Sequence, residues 1–118
     1  MSKIETSLGL NRVKRFLDRA YAYKEGVICF GKGESKAHFL KKCEVCWKLK
    51  ELGYHFYVEA RFLQNKGRAD VLVLENGGIA IEIVASESQL SIDAKRLRYP
   101  VTIVNLPLDM EFQEEMLL

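Results

Sequence analysis

Two carboxylates, Asp70 and Glu82, stand near the outer ends of a hairpin pattern, Gly67-Arg-Ala-Asp-Val-Leu-Val-Leu-Glu-Asn-Gly-Gly-Ile-Ala-Ile-Glu-Ile-Val-Ala-Ser86. Asp70 falls near the start of one apolar run and Glu82 near the end of the next, with the Glu75-Asn-Gly-Gly78 turn between. In an antiparallel hairpin those ends lie side by side, so the two carboxylates converge. Paired carboxylates suit hard cations such as Mg²⁺ or Mn²⁺, at about 2.0–2.6 Å. Such an ion activates water and stabilises charge on a phosphodiester in transit. The plainer alternative is two solvent-facing acids on a half-buried hairpin. Glu82 weakens it, because it interrupts a strand, Ile79 to Ala85, that is otherwise apolar on both faces. A buried carboxylate needs a partner or a metal.

The elements that must hold these acids are legible on either side. Leu10, Val13, Phe16, Leu17 and Ala20 make an apolar stripe that predicts a basic helix over residues 8–23. Residues 26–31 read as a short strand or an extended connection. Ser35 is a plausible N-cap and Gly53 a stop for a second helix ending near Leu52. Its stripe is Phe39, Leu40, Cys43, Cys46, Trp47 and Leu49, with Lys36, Lys41, Lys42, Lys48 and Lys50 largely off it. Strands are expected over 54–62, 69–74, 79–84 and 101–104. A helix over 88–98 precedes the last strand, which therefore lies parallel to a neighbour. Pro107 opens a short C-terminal helix. The expected class is α/β: one domain over 1–118, core about 35–104, with a mixed sheet of about four strands, a central hairpin and flanking helices.

Composition narrows the setting. The chain has 118 residues, enough for one domain with its own core, and no apolar run near the roughly 20 residues that span a bilayer. The first residues lack a signal-peptide pattern, so no membrane association and a cytoplasmic location are expected. Three cysteines, Cys29, Cys43 and Cys46, argue against a disulfide framework. Cys43 and Cys46 read as a buried, reduced pair on the side of Phe39 and Trp47 rather than a metal or redox site. Residues 1–50 carry 12 Lys/Arg against 5 Asp/Glu, and residues 51–118 carry 6 against 11. A formal +7 half thus precedes a −5 half, which suits a protein that grips phosphates with one part and holds a cation with the other.

The order of a helix, a strand ending in Glu59, then G-R-A-D-V-L-V, a turn and I-E-I-x-x-S resembles the PD-(D/E)XK nuclease core. That restriction-endonuclease-like layout is shared by archaeal Holliday-junction resolvases, restriction endonucleases and competence-associated nucleases. The resemblance covers about Ser35 to Val104, roughly two-thirds of the chain. It implies a Mg²⁺- or Mn²⁺-dependent endonuclease acting on DNA (or RNA). Asp70 resembles the first metal-binding acid and Glu82 the acid of the (D/E)XK segment. Glu59 matches an acid some members place near the metal, and Glu44 the helix carboxylate of others. His38, near the helix start, faces either the site or the surface.

One position departs from the pattern. Val84 stands where the motif lysine belongs, the group that orients the attacking water and stabilises developing charge. Three readings stay open. Lys95 reaches in from the following helix, with Lys66 and Arg68 behind it; the site cleaves without a lysine; or the domain binds nucleic acid without cleaving it. Lys95 also reads as part of an exposed basic cluster with Arg96 and Arg98. Arg12, Lys14, Arg15, Lys41, Lys42 and Arg68 are the candidates for gripping a phosphate backbone. Tyr21, Tyr23, Tyr54 and Tyr57 read as structural more than base-stacking. A protein-interaction module with an acidic tail is the remaining class. A homodimer is also expected by analogy, with the helix stripes and the C-terminal Met110, Phe112, Met116, Leu117 and Leu118 as its apolar contact.

Overall fold

The computed structural model describes residues 7–19, 24–85 and 89–118. Helices α1 (Ser7–Lys14) and α2 (Lys36–Leu52) precede strands β1 (Phe56–Arg61), β2 (Arg68–Val73) and β3 (Ile79–Val84). Helix α3 (Gln89–Arg98) and strand β4 (Thr102–Pro107) follow, and a short 3-10 turn spans Glu114–Leu117. The chain is thus an α/β protein whose four-stranded mixed sheet, in the order β1-β2-β3-β4, is flanked by helices. The first two pairings are antiparallel and β3–β4 is parallel, as a helical crossover requires. Among the described residues no helix is long and apolar enough to cross a membrane.

α2 starts where the Ser35 hydroxyl accepts from the His38 N–H at 3.1 Å, and it stops at Gly53 in the left-handed region (φ 83°). It buries Val45, Cys46 and Leu49 against Val58, Val71, Val73 and Ile81 on one face of the sheet. Val13, Leu17, Phe62, Leu72, Leu74 and Tyr99 fill the other face. Burying these aliphatic and aromatic side chains stabilises the fold by about 1.5–3 kcal/mol each before entropy is counted.

Several expectations change. α1 ends at Lys14, because Leu17 leaves the helix to bridge Phe62 on the sheet edge; residues 20–23, including Tyr21 and Tyr23, lie outside the described residues. Of the two forms expected for residues 26–31, the structure shows the connection, with no strand over 27–31. On α2 the buried arc is Lys42, Val45, Cys46 and Leu49, whereas Leu40 and Trp47 are exposed. Cys43 is half-buried, Cys46 is buried with its thiol pushed up to about 12 by burial, and all three thiols are free. Pro107 closes β4 instead of opening a helix. Of the C-terminal residues expected at a dimer contact, Phe112 and Leu117 enter the chain's own core and Met116 packs on it, while Met110 and Leu118 stay exposed.

Two local distortions prepare the site. Glu59 has φ 54°, inside a strand. The register runs on past it, with Val58 opposite Val71 and Ala60 opposite Ala69. Yet Val58 and Val71 face α2 while Ala60 and Ala69 face the opposite core. The paired strands therefore swap faces at Glu59 and Asp70, a strained arrangement that costs about 1–3 kcal/mol. The second distortion is Gly67 (φ 122°), where an added Cβ would lie 2.4 Å from the Tyr99 ring. Gly67→Ala is expected to lower unfolding free energy by at least the roughly 1–3 kcal/mol of the backbone conformation. A urea midpoint equal to that of the native chain would show that the Tyr99 ring is not held there.

Candidate functional site

β2 and β3 pair through Val73↔Ile79, Leu72↔Ala80 and Val71↔Ile81. At the next step side chains replace the ladder. The Asp70 N–H donates to Glu82 Oε2 at 2.9 Å, and the Ile83 N–H donates to Asp70 Oδ2 at 2.8 Å. Each carboxylate thus takes a backbone donor of the opposite strand. β3 meanwhile continues along β4 to Val84↔Pro107, and β2 along β1 to Arg68↔Arg61. The sheet forks at Asp70 and Glu82, and the two acids hold the fork.

Glu82 is 2% exposed. Its Oε1 lies 2.9 Å from the Tyr99 hydroxyl and 3.2 Å from Lys95 Nζ. Burial foremost, then the charge of Asp70, push its carboxyl up to about 7, against the Asp70 N–H, Lys95 and Tyr99. Tyr99 also reaches the Arg68 carbonyl at 2.8 Å. One hydroxyl proton cannot fully serve both acceptors. When Glu82 is protonated it donates to the Tyr99 oxygen, and the Tyr99 proton turns to Arg68. Burial and the neighbouring Glu82 charge raise the Tyr99 hydroxyl as well.

Asp70 opens onto a cleft of about 390 Å³ lined by Gly31, Lys32, Glu34, His38, Glu59 and Arg68, among others. His38 and Lys42 stand four residues apart on one face of α2, and Glu34, just before the Ser35 cap, bonds back to both. His38 Nδ1 is bonded to Glu34 Oε2, and His38 Nε2 lies 3.3 Å from Asp70 Oδ2. Glu34 Oε1 accepts from the Gly31 N–H at 3.0 Å and from Lys42 Nζ at 2.9 Å. Burial opposes ionisation of Glu34, but Gly31, Lys42 and His38 outweigh it and hold the carboxyl below its ordinary value. Lys42 is fully buried and also reaches Glu59 Oε2 at 3.3 Å. Arg68 Nε is 3.0 Å from Glu59 Oε1 but off the line of a hydrogen bond, so that buried oxygen has a neighbouring charge and no directed donor. Burial raises the Glu59 carboxyl despite Lys42 and Arg68.

The structure brings Asp70, Glu82, Glu59, Lys95, His38 and Arg68 around this fork. It removes Lys42 from the basic surface, because its ammonium lies between two buried carboxylates. Glu44 is exposed and paired with Lys41 at 2.7 Å. It lies six residues from His38, about 240° around the helix, and points away from the cleft. The acid beside the helix start is Glu34, one residue before the Ser35 cap, which no periodicity in the sequence marks. Arg12 and Arg15 are exposed, Lys14 is half-buried near Glu25, and Lys41 is largely covered. These lie apart from the fork.

Among the described residues no three His, Cys, Asp or Glu side chains converge as a ready metal cage. A hard cation needs less: one or two carboxylates, with water or phosphate completing its shell. Asp70 and the donor-free Glu59 Oε1 meet that minimum, and Asp70 is near enough for its charge to act on Glu59. Comparison with known proteins gives no match among family models, curated proteins or solved structures.

Two outcomes follow from these contacts. Lys42→Met removes the ammonium shared by Glu34 and Glu59, leaving only His38 and Arg68 beside them, and is expected to cost about 1–3 kcal/mol, read by urea unfolding. Asp70→Asn removes the negative charge beside Glu82, so the Glu82 midpoint, followed by carboxyl ¹³C NMR, falls below about 7. Because the folded value lies above the ordinary 4.5, protonated Glu82 supports folding fully below that pH, and this support is lost as pH rises through about 7. An unchanged midpoint in Asp70→Asn would remove Asp70 as a cause.

Proposed function

We propose that the chain is a restriction-endonuclease-like, metal-dependent nuclease that hydrolyses phosphodiester bonds of DNA. The observation that carries this reading is the forked sheet holding Asp70 against Glu82, with Lys95 Nζ 3.2 Å from Glu82. A buried carboxylate raised by its surroundings and paired with a second that opens onto a cleft is characteristic of acid–base and metal chemistry. Asp70 and Glu59 would hold Mg²⁺ or Mn²⁺, with Glu82 behind them fixing Asp70, and the ion when bound supplies Lewis acidity and a more acidic water.

The chain's own residues do the rest. Lys95 stands in for the lysine absent at Val84, placing a positive charge beside the acid pair where negative charge develops. Glu34 fixes the ring of His38, whose Nε2 faces Asp70 and can hold or release a proton at the cleft. Arg68 and Lys32, both in the cleft wall, meet the phosphate. A cytoplasmic setting, where Cys29, Cys43 and Cys46 stay reduced, belongs to the same reading. Val84 itself favours a second reading, a domain of this type that binds nucleic acid without cutting it.

The test is cleavage of labelled single-stranded, duplex and branched DNA with Mg²⁺, Mn²⁺ or EDTA. Metal-dependent cutting is expected, abolished in Asp70→Asn and slowed roughly 10²–10³-fold in Lys95→Ala. Salt-sensitive binding without cutting would establish the second reading. Absence of both would exclude nucleic acid as the partner.

A further inference from the structure

Phe30 is 77% exposed, although one face of its ring is covered by Phe39. The ring centroids are 4.2 Å apart and the planes 22° from parallel. Phe39 belongs to α2, and the buried Lys42 ammonium lies 5.5 Å from its ring centre. Phe30 is therefore held flat on a helix-anchored support with its outer face open to solvent. Neither core includes it. The residues directly after it, Gly31, Lys32 and Gly33, form the wall of the acid cleft.

Beyond the acid cleft, cations outnumber anions along an extended path. The acid cleft shares Arg68 with a second cleft of about 260 Å³ lined by Arg61, Asn65 and Gly67. That cleft shares Asp18 with a third, of about 440 Å³, lined by Lys14, Arg15 and Arg19. Lys14, Arg15, Arg19 and Arg61 against Asp18 line the path beyond the acid cleft, Arg68 stands at the junction beside Glu59, and Lys32 stands on the Phe30 side. An aromatic platform at the end of a cationic track matches a nucleotide strand, phosphates on the cations and a base on the ring.

Resting on the nuclease reading above, we propose that Phe30 stacks an unpaired nucleobase next to the phosphate held in the acid cleft. The preferred substrate class is then a strand with unpaired nucleotides, a single strand or an open end, rather than closed duplex. Within a duplex both faces of each interior base are already covered by its neighbours, so the Phe30 ring finds no open base there to take. Within an unpaired strand the choice of base matters little, since every base has a stacking face.

The test compares binding, in EDTA, of a labelled single strand of about 12 nucleotides with the same strand annealed as a blunt duplex. Phe30→Leu keeps apolar bulk and removes the stacking face; Phe30→Trp keeps it. The expected result is a loss of roughly 5- to 100-fold in single-strand affinity for Phe30→Leu. Affinity is retained in Phe30→Trp, duplex affinity is unchanged, and quenching of a 2-aminopurine base in the strand is lost only in Phe30→Leu. Unchanged single-strand affinity in Phe30→Leu, or an equal loss for duplex, would overturn the inference. Duplex-only binding with metal-dependent cutting would overturn it and leave the nuclease reading standing. If neither nucleic acid binds in a salt-sensitive way, both fall.

Discussion

A carboxylate almost wholly out of water at the parting of two strands is the constraint around which this structure is arranged. Glu82 lies within an apolar strand, where an uncompensated charge is several kcal/mol unfavourable. Its compensation comes from four directions: the Asp70 N–H, Tyr99, Lys95 and its own partial protonation. Each tie locates a different element. The Asp70 contact fixes how far β2 and β3 diverge, Lys95 draws α3 to the fork, and Tyr99 crosses the Gly67 backbone because no Cβ stands in its way. Glu82 thus sets tertiary geometry as well as local charge.

A second buried network, Glu34-Lys42-Glu59, flanks the first and is coupled to it through His38 and Asp70. Its charges are nearly dehydrated, so swapping them for apolar groups of similar shape would not by itself destabilise the fold. Their arrangement therefore relates better to placement than to stability. Lys42 and Arg68 fix the Glu59 carboxylate at the wall of the cleft, with one oxygen lacking a directed donor. The left-handed backbone at Glu59 adds strain at the same point, and strain of this kind concentrates at functional sites. Gly31 completes the wall, since an added Cβ would come within 2.7 Å of Glu59 Oε1.

Much of the scaffold was legible in the residues. β3 falls on the expected bounds, α2 starts and stops at its capping residues, and the parallel β4 follows from the crossover helix. These features depend on alternation, turn chemistry and capping, all of which act within a few residues. The errors arose where a distant contact overrode a local pattern. The stripe through Phe16 and Ala20 extended the first helix, but Leu17 gains more by joining the sheet edge. Trp47 and Leu40 fit a helical stripe, yet the arc that faces the sheet is rotated to include a lysine.

The convergence of Asp70 and Glu82 was determined by the sequence alone, because an antiparallel hairpin with a four-residue turn brings those positions together whatever surrounds it. Tertiary structure alone decided what converges on them. His38 and Lys42 share a helical face by their spacing, but whether that face met solvent or the sheet depended on the rotation of α2. Glu34 joins them only through the fold of the segment before Ser35. The open face of Phe30 likewise depends on a long connection docking against that helix. Spacing along a chain specifies which side chains share a face; only packing between elements specifies what that face meets.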